Sequence, residues 1–512
     1  MFEIWSLVGL FAFYLVTDEW FGQSGYLTAN LVGPLVMTVV LGHSAWRMAR
    51  ADARNIWTAL FWFRLSTGTY FGVGTFIIFI VNNATLLYIE DFHQFSEHDV
   101  LKMNMIVSLS TVLILVAARV VLLMGRRWTR GGAAAPEVSA RDRTRNLLAA
   151  GTLFLAVGLT VNYGINVPHA FGWTNAVLPG SLTGLARFTM LGVFMLALWS
   201  LQRARWLLPA IAALAAIEML FQLLMFSKSN TLLILIMFLL AFLWRKISIV
   251  RSIICAALVV GTYAYLQPLV SYCRTELAAR YGDDTQVSFG QRFDILTSYT
   301  PSPGPTVSTQ EQIQGALSRL SYVNAATFLI DQYDHGAPGE WQELLPAVFV
   351  PRFLWAEKPI ISDVGFDIYE LGTGRRTSSS GAGIYADSYW VMGWWGVIIY
   401  MPIFGVILGV LSASAARFLR QGKWLLFPVV LMGMQMGYRT DGHYITDVAG
   451  AGVILAGMYV VLALADQIMS SWLRSFAGHG GRKHARAYTT DPNASPPADT
   501  GSWLTHESRA PL

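Results

Sequence analysis

The fold the sequence predicts is an all-α polytopic membrane protein of about 12 transmembrane helices with a large periplasmic loop, and three observations predict it. Charge-poor apolar runs of about 18 to 25 residues recur along most of the chain, each long enough to cross a hydrocarbon core of about 30 Å as a helix. Of the 512 residues 54% are hydrophobic and only 13% charged, with a mean hydropathy of +0.47, whereas a soluble domain carries about a quarter charged residues. Lys and Arg, finally, collect in alternate loops, as they do on the cytoplasmic side of multi-pass proteins.

The first run, 3–18, stops at Asp18 and Glu19. With no basic region ahead of it and no clear small-residue cleavage site, it reads as a retained helix. Runs 27–46 and 57–81 are separated by Arg47, Arg50 and Arg54, and the later one contains Arg64. An acidic loop with Glu90, Asp91, Glu97 and Asp99 leads to run 104–124. Arg126, Arg127, Arg130, Arg141, Arg143 and Arg145 then precede run 147–166. Runs 183–201 and 206–226 are joined through Arg203 and Arg205, and the second contains Glu218. Run 230–244 follows the turn Phe226-Ser227-Lys228-Ser229-Asn230, and Arg245, Lys246 and Arg251 flank the start of run 248–268. Run 390–414 is followed by Arg417, Arg420 and Lys423, and the short run 424–438 leads to 447–467, after which come Arg474, Arg482, Lys483 and Arg486. Every basic cluster falls on one side. The expectation is a multi-pass protein of a bacterial inner membrane with both termini cytoplasmic.

This divides the chain into a bundle of about nine helices over 1–268, a periplasmic loop domain over 269–389, a bundle of about three helices over 390–470 and a disordered cytoplasmic tail over 471–512. The loop is too long for a connector. It holds a Pro/Ser/Thr-rich stretch at 298–309, then a helical pattern over 311–333 with Ile313, Leu317, Leu320, Val323 and Leu329 at helical spacing. Residues 340–355 mix Trp341, Leu344, Leu345, Phe349, Phe353, Leu354 and Trp355 with a few charges, which suits a segment lying on the membrane surface.

Composition excludes several function classes. The net charge of +5 is spread over particular loops, so it sets topology and implies no nucleic-acid partner. Two cysteines, Cys255 and Cys273, provide neither a disulfide framework nor a metal cage. No nucleotide-cradling Gly-Lys-Ser/Thr motif and no His/Cys/carboxylate cluster at metal-ligand spacing appears, so no cofactor and no metal is expected. Chemistry on the outer side then needs a substrate delivered already activated.

Four groups of residues can carry such chemistry. In Pro351-Arg352-Phe353-Leu354-Trp355-Ala356-Glu357-Lys358-Pro359 two cations are bracketed by prolines and held at the membrane surface by aromatic and aliphatic neighbours. Arg can meet a pyrophosphate with two parallel hydrogen bonds; the plainer alternative is an interfacial anchor on phospholipid headgroups. Arg292 and Arg319, with Arg375 and Arg376, add positive charge to the same loop. Solvation explains most loop arginines, but Arg319 lies inside an amphipathic pattern between Leu317 and Leu320. The third group is Gly381-Ala382-Gly383-Ile384-Tyr385-Ala386-Asp387-Ser388-Tyr389, leading to Gly393 and Gly396. Its glycines permit close backbone approach, and Asp387 either takes part in the chemistry or favours the positive end of a helix dipole. The fourth is Arg439-Thr440-Asp441-Gly442-His443-Tyr444, where Arg, Asp and His offer phosphate binding and proton transfer. Lys228 faces the same side. Arg64 and Glu218, inside spans, face the bundle interior and can pair as structural glue.

Taken together, the many spans, the Ser-Lys-Ser turn at Lys228, the outward loop with Pro-Arg-x-x-Trp-x-x-Lys-Pro, and the Gly-rich stretch with Asp387 and Tyr389 before Gly393 and Gly396 resemble the Wzy-type O-antigen and exopolysaccharide repeat-unit polymerases. The resemblance is sharpest over about 315–410 and architectural elsewhere. Where that family reads Gly-Glu-x-Tyr-x-x-Phe-Gly, this chain has Asp387 in the Glu place, Tyr389 in the Tyr place and Met392 for Phe. The resemblance implies a GT-C-like membrane glycosyltransferase that transfers a growing chain from undecaprenyl pyrophosphate onto a new lipid-linked repeat unit at the periplasmic face, without a metal. It implies Arg352, Asp387 and His443 as catalytic residues. It implies Arg319, Lys358, Arg292, Lys228, Arg439 and Tyr389 as substrate-binding. The partners it implies are a lipid-linked oligosaccharide, membrane lipids, a chain-length regulator and a flippase. An O-antigen ligase using the same donor is the nearest alternative, and a polysaccharide or lipid transporter is an alternative of another class. Arg319, Arg352, Lys358, Asp387 and His443 are expected to converge on one outward cavity.

Overall fold

The computed structural model describes residues 2–81, 83, 86, 89–90, 92–131, 140–174, 184–244, 248–282, 287–300, 320–350, 354–355, 357–376 and 379–487. Among them every regular element is helical. Contacts divide the chain into two units, Met1–Val460 and Val461–Leu512. The described part of the second is the continuation of the helix Ala451–Ala487. That helix runs past 476, where composition predicts an irregular tail.

Nine helical stretches among the described residues are long and apolar enough to cross a bilayer, from Phe2–Phe21 to Tyr444–Ser471. The chain is therefore a multi-pass α-helical membrane protein. These nine coincide with nine of the predicted runs. Runs 230–244 and 424–438 form the shorter apolar helices Lys228–Leu243 and Trp424–Tyr438. Run 57–81 folds as Ala59–Thr67, a π-helical turn Gly68–Val73, and Gly74–Ile77.

In a bilayer, helices gain little by hiding Leu from lipid, so close approach at small residues and interhelical polar bonds must hold the bundle. Trp394–Gln421 lies against Glu97–Gly131 through Gly405 and Gly409; a β carbon at Gly409 would stand 3.0 Å from the Ala118 backbone. Phe188–Arg203 lies against Ala140–Val161 in the same manner, a β carbon at Gly192 coming 2.6 Å from that of Leu155. Trp57 meets Phe194, Trp244 and Phe427 at ring centroid distances of 5.3, 5.0 and 5.2 Å, joining four segments distant in sequence.

The two charges predicted inside spans do not pair with each other. Arg64 forms a two-pronged bond with Glu3, at 2.7 and 3.0 Å, while Glu218 accepts from the Asn162 amide at 3.3 Å. Run 390–414 also differs from expectation. The spanning helix begins at Trp394, and Ile384–Met392 is a separate short helix. Gly393, at φ +59, makes the break, because L side chains rarely adopt that backbone. Asp387 consequently sits on a buried helix ahead of the span and not at its mouth.

The described part of the long loop is helical, with Phe289–Thr297 closed by a Ser288–Gln291 capping box. Of the pattern predicted over 311–333, Val323 and Leu329 are buried in the helix Val323–Asp334; Ile313 and Leu317 lie outside the described residues. Trp341, expected at the membrane surface, is instead 3% exposed and stacked on Tyr444 at 5.4 Å. Phe349 and Leu354 remain exposed.

Candidate functional site

The site is built where the glycine-rich segment 379–383 runs against the loop 439–443. Gly383 N–H donates to the Asp441 carbonyl at 3.2 Å and Ile384 N–H to the Thr440 carbonyl at 3.1 Å. Glycine is required at both contact points. A β carbon at Gly381 would overlap the Asp441 carbonyl, and one at Gly383, itself at φ +83, would strike the Phe71 ring. The helix Ala59–Thr67 anchors both strands of this junction: Thr67 Oγ1 bonds the Tyr385 hydroxyl at 2.6 Å and Ser66 Oγ bonds Thr440 Oγ1 at 2.8 Å.

These contacts bring Asp387 and His443 together, Oδ1 to Nδ1 at 3.7 Å, with side chains 0% and 9% exposed. The Asp387 Oδ2 atom accepts the Tyr444 N–H at 2.7 Å. His443 Nε2 lies 2.9 Å from the Ser380 carbonyl. A carbonyl oxygen only accepts, so Nε2 carries a proton. A neutral ring would then turn the bare Nδ1 lone pair toward a carboxylate. A second proton on Nδ1 removes that clash, making the pair imidazolium and carboxylate. Burial alone would lower the His443 pKa, but the Asp387 carboxylate, with Asp447 and the Ser380 carbonyl, outweighs burial and raises it. Both ring nitrogens are thus directed at protein groups, and the pair clamps the two segments together.

Next to the clamp is a more open group of charges. Arg439 is 38% exposed and reaches Asp447 at 3.4 Å and Asp441 at 3.7 Å. Asp447 also accepts the His443 backbone N–H at 3.0 Å. Asp441 Oδ2 accepts the Tyr322 hydroxyl at 3.0 Å, while its Oδ1 makes no hydrogen bond. Burial raises the Asp441 pKa against the lowering pull of Arg439. Tyr322 meets Tyr70 edge to face at 5.1 Å, and Tyr438, 41% exposed, flanks Arg439 in sequence. The result is an arginine held between two carboxylates beside tyrosines, a setting in which a carboxylate of raised pKa can accept a proton.

Other predicted residues go elsewhere. Tyr389, two positions from Asp387 and so on another face of the same helix, is 3% exposed and donates to Asp334, which also pairs with Lys102. Lys358 donates to the Val350 carbonyl at 2.9 Å. Arg352 and Arg319 lie outside the described residues. Arg292 lies over the Phe226 ring at 5.5 Å, and Lys228 donates to Gln267 and lies over the Tyr263 ring at 6.0 Å. Arg292 is 6% exposed, and burial pushes its pKa down. The structure therefore joins Asp387, His443 and Arg439, and shows Arg292, Lys228, Tyr389 and Lys358 each tied to other neighbours.

Sequence reading missed Asp447, Tyr322 and Tyr70 as members of the site. Asp447 opens an apolar span, where its acidic character was a usable signal; the two tyrosines carried none. No three His, Cys, Asp or Glu side chains among the described residues are arranged to hold a metal ion.

A family model described as a domain of unknown function (DUF8712) matches residues 190–433, a stretch that contains Asp387 and stops short of Arg439. No curated protein and no solved structure matches the chain.

Proposed function

We propose that this protein is a membrane glycosyltransferase that polymerises lipid-pyrophosphate-linked oligosaccharide repeat units at the outer face of the bacterial inner membrane. The observation that carries the reading is the meeting of two sequence groups chosen on chemistry, the Gly-rich segment of Asp387 and the loop of Arg439 and Asp441. The resemblance of residues 315–410 to repeat-unit polymerases supports the same conclusion. The reading includes twelve spans with both termini cytoplasmic: the nine long helices, the two shorter ones and the interrupted segment 59–77 supply that number. The alternation of basic loops then sets 439–443 outside.

In this reaction the acceptor hydroxyl oxygen attacks the anomeric carbon of the donor sugar, the bond to pyrophosphate breaks, and the lipid pyrophosphate leaves with the electron pair. The acceptor proton must go to a base. We assign that base to Asp441, whose buried Oδ1 accepts no hydrogen bond and faces Arg439 Nε at 3.7 Å, and whose pKa burial raises against the pull of Arg439, because a base gains strength as its pKa rises toward the working pH. Asp387 and His443, which the resemblance nominates, instead fix the position of the Asp441 loop. Arg439 stabilises charge near the acceptor. Arg352, Lys358 and Arg319, by the resemblance, neutralise the leaving pyrophosphate, since donors aimed at developing charge are the largest catalytic term in many transfers.

The test uses purified protein in nanodiscs with a lipid-pyrophosphate-linked repeat unit, products being resolved as a size ladder. Wild type should give a ladder without added nucleotide, and Asp441→Asn and Arg352→Ala should not. A single transfer to another acceptor identifies a ligase, and movement of the lipid-linked sugar across the bilayer without bond formation identifies a transporter. Either result overturns the proposal.

A further inference from the structure

A second polar site lies where several helices end beside the Phe226 turn, apart from the Arg439 and Asp441 group. The turns Asn162–Asn166 and Gly184–Arg187, the end of the helix Leu208–Leu224 and the start of Lys228–Leu243 line an open cleft of about 450 Å³. Asn162, Asn166, Arg187, Gln222, Ser227 and Asn230 line it, with small or flexible residues between them. That volume is in the usual range for a small-ligand pocket. These residues lie at or just beyond the ends of their spans, where a cavity lined by convergent polar groups can take a ligand from the aqueous side.

The cavity is shaped by two departures from regular helix. Asn162–Asn166 is a π-helical turn, an insertion that re-aims side chains and recurs at functional sites. Phe226, at φ +52, is the one non-glycine residue with positive φ among the described residues, and it brings the chain round between Met225 and Ser227, which both line the cavity. A third feature orients the lining. Asn162 gives its amide N–H to Glu218 at 3.3 Å, which leaves its amide oxygen as the acceptor. Glu218 is 1% exposed, and its other oxygen makes no hydrogen bond. The side chains of Asn166, Gln222 and Asn230 make no hydrogen bond to another described residue.

Among the described residues the polar lining is thus four amides, a hydroxyl and a guanidinium, with no carboxylate. Each amide offers a donor and an acceptor together, which matches ligand hydroxyls that donate and accept. A cation would find no counter-charge on this lining, and an apolar tail would strand its amides. We propose that this cavity is a binding site for a hydroxyl-rich saccharide segment, holding glycan at a place separate from the Arg439 and Asp441 group. The choice of saccharide among hydroxyl-rich ligands rests on the glycosyltransferase reading.

Binding is measured without turnover, in nanodiscs, with lipid-free oligosaccharides cut from the surface polysaccharide of the source bacterium as the probe and saturation-transfer NMR as the readout. Wild type and Asp441→Asn should bind alike, whereas Gln222→Leu with Asn230→Leu should weaken binding at least tenfold. Gln222→Glu keeps the shape, sets a second carboxylate one turn from Glu218, and should also lose binding, which guards against a misfolded double variant. Equal binding by wild type and all cavity variants would overturn the site, as would no binding by wild type. A product ladder from protein that fails to bind would sink the cavity alone and leave the polymerase reading standing; binding without a ladder would do the reverse.

Discussion

Replacing Asp387 by Asn should be tolerated far better than replacing His443 by Ala, and it should erase a pH dependence of stability that the wild-type protein shows. The pair stands 3.7 Å apart with side chains 0% and 9% exposed, so solvent screens it little. At an effective dielectric of about 20 the gross attraction at that distance is roughly 4 kcal/mol, much of it offset by the loss of hydration. Removing one partner leaves the other charge buried alone, and His443→Ala should therefore cost about 3 to 5 kcal/mol. Asn at 387 behaves differently. Its oxygen can still accept the Tyr444 N–H, and its NH2 can donate to the Nδ1 of a neutral His443 whose Nε2 proton stays on the Ser380 carbonyl. Every group keeps a partner, so the loss should be about 1 kcal/mol, the scale of a hydrogen bond. His443's pKa is raised in the folded protein above the ordinary imidazole value near 6.5. Its stabilisation is then full below that pH and is lost as pH rises through the folded value. Asp441, also raised, acts in a more acidic window that begins at its ordinary value of 3.8. Steric-trap unfolding in bicelles across pH 6 to 9 measures the effect. A wild-type slope that survives intact in Asp387→Asn, or a His443→Ala protein within about 0.5 kcal/mol of wild type, would refute the imidazolium assignment.

Other outcomes follow from the same geometry. With Asp441 as base, turnover by wild type should rise with pH as its carboxyl ionises, while Asp441→Asn should lose at least about a hundredfold in rate, the low end of general base contributions; an Asn variant at full rate excludes the assignment. Gly383→Ala forces an L residue to φ +83 and drives a β carbon into Phe71, so it should destabilise by about 1 to 3 kcal/mol, and Phe71→Leu in the same chain should recover the steric part but leave the backbone strain, as read by melting temperature. Glu3→Arg with Arg64→Glu should be more stable than either single reversal, because the two-pronged bond at 2.7 and 3.0 Å can re-form in mirror order; a double variant no better than the singles would mean that the pair matters only through shape. Gly409→Leu should loosen the contact with Ala118 and lower the melting temperature by several degrees, about 2 kcal/mol or more for an overpacked contact.

Much of the architecture could be read from residue order because lipid restricts the options. Spanning helices satisfy their own backbone, so length, hydropathy and loop charge locate them, and nine runs appear as long apolar helices. The difficulties came where two segments compete for one place. Trp341 has the composition of an interfacial aromatic, yet Tyr444 and the Asp387 carbonyl offer it a stacked partner and an acceptor inside the protein. Arg64 and Glu218 looked like a pair because both are charges in spans, but each had a nearer partner from a helix whose placement periodicity does not give. The close approach at Gly381 and Gly383 was legible, since only a missing side chain allows it. The tyrosines beside Asp441 were not, because Tyr70 and Tyr322 carry no pattern that distinguishes them from the other aromatics of the chain.

On the proposed reading, Asp387 serves the site through position, without meeting a substrate. Its carboxylate accepts a backbone N–H from Tyr444, its backbone carbonyl accepts from Trp341, and its side chain faces His443. Three parts of the chain far apart in sequence thus depend on one buried residue for their relative placement. A buried ion pair adds little net stability compared with an apolar substitute, but it penalises every arrangement in which either charge lacks its partner. A one-residue shift between the 379–383 segment and the 439–443 loop would strand both charges and both backbone bonds. That penalty holds Asp441 and Arg439 at a fixed distance from each other and from the tyrosines. The site's exposed half is therefore only as well placed as its hidden half allows, which is why a change at His443 should lower activity in proportion to lost register while a change at Asp441 should lower it with the fold intact.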